Sequence, residues 1–169
     1  MLKLYLIVVT IFLSLFILPT EITTSNVVVE HLLVKRTKYI NKQIDCMTQA
    51  LYYESRGESN EGMLAVATVI YNRVRTANYP KSVCGVINQH TWTDGEKHCQ
   101  FSYKCEKQYR INDKTQWIRS KIIAENVILN HKFHNILYKK RALHYKEKSS
   151  VTAWHYHKII KIGNHIFYA

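Results

Sequence analysis

The chain has 169 residues, of which 47% are hydrophobic, and its 24 Lys and Arg against 12 Asp and Glu give a formal net charge of +12. This composition excludes a disordered chain and a large multidomain assembly, and fits one cored domain with or without a tail. The positive balance points to polyanionic partners (nucleic acid, an anionic membrane face or a bacterial envelope) without choosing among them.

The first stretch, "MLKLYLIVVTIFLSLFIL", has one early cation, Lys3, then an apolar run from Leu4 to Leu18. Such a run matches a signal-peptide core and falls short of the roughly 20 residues of a comfortable membrane span. The following "PTEITTS" offers only mediocre cleavage sites. Residues 1–25 are therefore expected to be a signal peptide or an uncleaved signal anchor, with inner-membrane association through residues 4–18 in the second case. Residues 26–43 combine Val27 to Val29 with Lys35, Arg36, Lys38 and Lys42, and are expected to form a basic linker.

Helical periodicity begins at Ile44 and continues to about Arg56, with Ile44, Met47, Leu51 and Glu54 on one face and Asp45 in the first turn. Gly57 is the expected stop. Ser59 or Asn60 is placed to cap a second helix, "EGMLAVATVIYNRVRTA", whose Met63, Val66, Ala67, Ile70 and Val74 mark it as the central core helix. Pro80 ends it through a turn, and Ser82 starts a short helix. "HTWTDGEKH" reads as a polar loop turning at Asp94-Gly95, and "CQFSYKC" as an extended piece. "TQWIRSKIIAENVILN" is a third helix. "RALHY" and "HIFYA" are strand-like. The fold class is α+β, dominated by helices.

Four cysteines, Cys46, Cys84, Cys99 and Cys105, follow the apolar segment. In an exported chain they read as two disulfides with three possible connectivities, of which Cys99–Cys105 closing a short loop, leaving Cys46–Cys84, is the natural expectation. Zinc is the rival, but no paired C-x2-C occurs. The nine histidines include no H-E-x-x-H, so no metal and no cofactor is expected. Basic and aromatic residues alternate in "KCEKQYRINDKTQWIR" and "YKKRALHYKEK", as in single-strand nucleic-acid binders. Export and disulfides argue against nucleic acid. No serine sits in a nucleophile elbow.

The stretch "ALYYESRGE" (residues 50–58) poses the chemical question. A glutamate at a helix end, if half-buried, has its pKa raised toward that of a general acid. An exposed helix Glu paired with Arg56 is the commoner arrangement. Gly57 separates Glu54 from Glu58, so the two need not share a helical face.

Taken together, "CMTQALYYESRGESNEGMLAVATVIYNRVRTANYPKSVCGVINQ", "CQFSYKC", "ALHY" and "IGNHIFY" resemble the SleB/CwlJ-type cell-wall hydrolases, the family of the spore-cortex-lytic enzymes. The resemblance covers residues 44–169, the expected catalytic domain. It implies a lysozyme-like fold, with a mainly α-helical lobe and a small β lobe. It also implies a peptidoglycan substrate, cleaved at the glycan by a lytic transglycosylase or muramidase. Its acid maps to Glu54; Gly57 and Glu58 become structural members of the same motif. Asn72, Gln100, Phe101, Ser102, Tyr145 and Arg56 become expected substrate contacts, with burial in the core the alternative for Asn72 and Phe101. Lytic transglycosylation needs one carboxyl group, whereas hydrolysing glycosidases usually need two. An amidase or an inactive wall-binding protein are the alternatives. A monomer in the periplasm or envelope is expected, from a bacterium or as a phage endolysin. The basic, His-rich tail "KEKSSVTAWHYHKIIK" departs from the family pattern.

Overall fold

The computed structural model describes residues 24–106 and 110–169. The apolar run 4–18 lies outside the described residues. The chain divides into two units, Met1–Thr37 and Lys38–Ala169. Described here are helices α1 (Thr24–Ser55), α2 (Asn60–Arg75), α3 (Val83–Ile87), α4 (Tyr103–Glu106), α5 (Lys114–Asn130) and α6 (Asn135–Lys139). Strands β1 (His90–Thr93) and β2 (Glu96–Cys99) form a hairpin, and β3 (His144–Glu147), β5 (His165–Tyr168) and β4 (Lys158–Ile162) pair in that order as an antiparallel sheet.

α1 is helical from Thr24 on, well upstream of Ile44, and the expected linker lies within it. Neither Pro nor Gly interrupts residues 24–55, so nothing stops the helix from extending upstream. Its first residues, including Val27, Leu32 and Leu33, are exposed, and a helix with no buried face shows no apolar period to read. Burial starts at Gln43 and Ile44, where the periodic pattern also starts. Asp45 is accordingly far from the first turn.

α2 is the centre of the second unit. Met63, Ala65, Val66, Ala67, Val69 and Ile70 are wholly buried, so the helix is covered nearly all round. Ser59 caps it by accepting from Gly62 N at 3.2 Å, and Ser82 caps α3 by accepting from Gly85 N at 3.0 Å. Tyr52, buried on α1, orients α5: its hydroxyl accepts from Asn112 N and Asp113 N at 3.1 Å each, and Asp113 caps α5. The Asp113 amide, joined by Arg56 and the Asn112 amide, outweighs burial and lowers the Tyr52 pKa.

"HTWTDGEKH" is a hairpin rather than a loop. Asp94 and Gly95 both have positive φ, 53° and 79°, the geometry of a two-residue Asp-Gly hairpin turn. The end of "CQFSYKC" is the short helix α4 rather than extended chain. Both disulfides form as expected: Cys46–Cys84 ties α1 to α3, and Cys99–Cys105 ties β2 to α4. Closing the first, at a sequence separation of 38, contributes roughly 2–4 kcal/mol.

The three-stranded sheet is held to the α1–α2 turn by Glu58. Both its carboxylate oxygens accept from Asn164 N, at 3.1 and 3.2 Å. Gly163 has φ of 56°, and a Cβ there would overlap Glu58 Oε2. Gly163→Ala is expected to cost about 2 kcal/mol or more, from a strained backbone and a displaced carboxylate. The urea unfolding midpoint measures it; an unchanged midpoint would show that the brace yields freely.

Candidate active site

Glu54 stands one residue before the end of α1, half-buried. Two physical effects disfavour its ionised form there: loss of water, and the negative end of the helix dipole. Burial raises its pKa from 4.5 to about 7, with smaller upward contributions from the charges of Glu106 and Glu147. Two groups pull the other way. The Tyr145 hydroxyl donates to Glu54 Oε2 at 3.3 Å, and the Arg73 guanidinium lies in electrostatic range. Burial and the Glu54 charge hold the Tyr145 hydroxyl well above its ordinary pKa, so it remains a donor. The result is a carboxyl group that changes protonation near neutrality, as a general acid must.

Tyr145 is delivered by the sheet. It pairs with Phe167 in the β3–β5 ladder, and its ring packs against His165 at 5.3 Å and Phe167 at 6.0 Å. Its hydroxyl is thereby brought onto the Glu54 carboxyl. The tyrosines beside Glu54 in sequence act elsewhere: Tyr52 holds α5, and Tyr53 stacks on Tyr103 at 4.6 Å.

Arg73 was hidden in plain view, next to Asn72 in the "NRV" block. It is buried, its Nε donates to Leu143 O at 2.8 Å, and its guanidinium stands 5.9 Å from Phe101 and 5.7 Å from Tyr79. Nη1 has no hydrogen-bond partner. A cation buried this deeply beside a half-buried carboxyl tempers the rise of the acid's pKa.

The remaining expected residues separate. Arg56 and Ser102 share a groove of ≈ 440 Å³ with Tyr53, Tyr103, Glu106 and Arg110. Arg56 lies 5.6 Å over the Tyr52 ring. Asn72 is a buried strut: Nδ2 donates to Leu137 O and Ala142 O, both at 3.0 Å. Phe101 is 1% exposed and belongs to the core, so it offers no ring face to a sugar. Gln100 lines a different depression, with Gln89 and His90. Gly57 is exposed, without positive φ, and a Cβ there would meet nothing; the helix ends instead where Ser55 Oγ bonds back to Leu51 O and Glu58 N turns onto Ser55 O.

Glu58 is buried and differently employed. Besides Asn164, it faces His165, whose Nδ1 lies 3.5 Å from Oε1 without a hydrogen bond. Burial lowers the His165 pKa against the pull of Glu58. The Glu58 carbonyl accepts from Arg119 Nη2 at 2.7 Å, fixing the turn to α5. Among the described residues, no group of three or more His, Cys, Asp or Glu could hold a metal ion.

Residues 57–168 match the family model described as Cell Wall Hydrolase. The chain belongs to the cell wall hydrolase family. The match opens at Gly57, three residues beyond Glu54. The catalytic domain of the Bacillus cereus SleB protein is 31% identical, with 76% of this chain and 91% of that one covered and a TM-score of 0.55. The catalytic domain of a germination-specific lytic transglycosylase, SleB from Bacillus anthracis, is also 31% identical, over 75% and 93% of the two chains, with a TM-score of 0.56. A spore cortex-lytic enzyme of Bacillus cereus is 51% identical over 49 residues, a match that spans 29% of this chain and only 19% of the relative.

The raised Glu54 pKa has a stability consequence. The folded carboxyl keeps its proton up to about pH 7, whereas the unfolded one releases it near 4.5. Between those values the native state binds more protons, so this group's contribution to stability falls as pH rises. Glu54→Gln is therefore expected to be more stable than the parent by roughly 1–3 kcal/mol at about pH 8.5, with the difference vanishing near pH 4. Denaturant unfolding at the two pH values measures it.

Proposed function

We propose that the chain cleaves the glycan strand of peptidoglycan between N-acetylmuramic acid and N-acetylglucosamine, as a lytic transglycosylase, with Glu54 as its single general acid and base. The carrying observation is the half-buried Glu54 carboxyl, with its pKa near 7 and its bond from Tyr145. Family membership and the SleB catalytic domains support the substrate class. The disulfides support export to the envelope, where oxidation persists. In this reading residues 1–25 direct export and 44–169 form the catalytic domain.

Protonated Glu54 gives its proton to the glycosidic oxygen as the bond to muramic C1 breaks. Positive charge develops on the sugar ring, and the new carboxylate faces it. The muramic C6 hydroxyl then attacks C1 and loses its proton to Glu54. A 1,6-anhydro end forms, the acid is restored, and no water enters the balance. Tyr145 keeps the carboxyl oriented through both transfers, and Arg73 stabilises the intervening carboxylate.

A hydrolytic muramidase is the second reading, favoured by one observation: Glu106 and Glu147 are close enough to perturb Glu54, and a second carboxylate could activate water. Mass spectrometry of released muropeptides decides between them. Anhydro-muramyl ends are expected; reducing ends would establish the hydrolase, and freed peptides an amidase.

Glu54→Gln is expected to lower cleavage at least about a hundredfold while the fold persists. Cleavage by the parent should fall as pH rises through about 7, where Glu54 loses its proton. Arg73→Gln removes a neighbouring cation and should move this basic limb to higher pH. A limb that stays in place while activity drops would reduce Arg73 to a packing role.

A further inference from the structure

A depression of ≈ 560 Å³ is lined by Asn72, Arg75, Thr76, Ala77, Tyr138, Lys139, Arg141 and Leu143. Three of these residues are cations and none is an acid. Among the described residues, neither ion pair engages Arg75, Lys139 or Arg141. Like charges gathered without counterions repel, so the fold bears a cost for bringing them together.

The gathering is built rather than incidental. Arg75 comes from the last turn of α2, Lys139 ends α6, and Arg141 follows it. The two Asn72 bonds to Leu137 O and Ala142 O, and the Arg73 bond to Leu143 O, fix these segments against α2. Arg75 is held 4.8 Å over the Tyr138 ring. Arg141 has φ of 51°, a left-handed conformation that Gly or Asn usually fills just beyond a helix end. An arginine here adds strain and brings a third positive charge to the rim.

We propose that this depression binds the carboxylates of peptidoglycan stem peptides. The proposal rests on the peptidoglycan reading above and extends it to a subsite for the peptide part of the substrate. The N-acetylated glycan carries no free carboxylate at its amide-linked muramyl groups; the attached peptides do. Guanidinium groups match carboxylates with paired donors. Tyr138, Ala77 and Leu143 give the depression apolar walls suited to the small side chains of a peptide, which a bare phosphate polymer lacks.

The test uses full-length protein carrying Glu54→Gln, sedimented with purified walls stripped of phosphate polymers. Native walls are compared with walls whose carboxylates have been converted to amides. Binding to native walls is expected to be about tenfold tighter. Adding Arg75→Gln, Lys139→Gln and Arg141→Gln should abolish that difference, with circular dichroism confirming the fold. Should the triple variant not fold, the exposed pair Lys139→Gln with Arg141→Gln should cut the difference at least threefold. A preference that survives the substitutions, that the starting protein lacks, or that appears only with phosphate polymers left on the wall would overturn the proposal. Cleavage products of the parent are scored separately, so failure of glycan cleavage leaves the carboxylate dependence legible.

Discussion

The site depends on taking one carboxyl group partly out of water at the negative end of a long helix. Alone, that placement would only destabilise the ionised form and, with it, the fold above neutral pH. Tyr145 and Arg73 limit the cost from opposite sides, the first by a hydroxyl bond and the second by charge. Both depend on α2: Arg73 belongs to the helix, and Tyr145 comes from a strand whose approach is fixed by Arg73 Nε donating to Leu143 O. The core helix is therefore also the frame of the acid's electrostatics. This explains why α2 is buried nearly all round while retaining polar residues at its C-terminal end.

Glu54 and Glu58 illustrate how one motif divides its labour. Four residues apart in sequence, they face different structures. Glu54 meets a hydroxyl and solvent, a setting that lets it exchange protons. Glu58 meets a backbone amide, a glycine that must stay bare and a histidine, a setting that fixes position. Gly57 contributes less than its place in the motif implies, since its backbone is not left-handed and its side is open.

What was legible in the sequence follows burial. α2, α5, the caps at Ser59 and Ser82, and the disulfide pairs all rest on local periodicity, short polar caps or cysteine parity. The upstream half of α1 was not legible, because an exposed helix leaves no apolar stripe. The hairpin at Asp94-Gly95 was missed because its strands are exposed and polar, although its turn carried the signal. Glu54 was named through the family motif; its environment could not be, because Tyr145 is 91 residues away. Asn72 and Phe101 stay open between substrate and core in the sequence, because amides and rings serve sugars as well as cores, and only three-dimensional packing separates the uses. Arg73 stood inside a quoted motif, and its depth of burial, invisible in one dimension, is what gives it influence.

The Glu58–Asn164 brace joins groups 106 residues apart, and it links the turn that follows the acid to the hairpin that brings β5 beside β3. Its consequence concerns time. α1 and α2 precede β5 in the chain, and Tyr145 reaches Glu54 from β3, which pairs with β5. The surroundings of the Glu54 carboxyl are thus complete only when the last strand of the chain is in place. An incomplete chain therefore carries the Glu54 carboxyl without its setting.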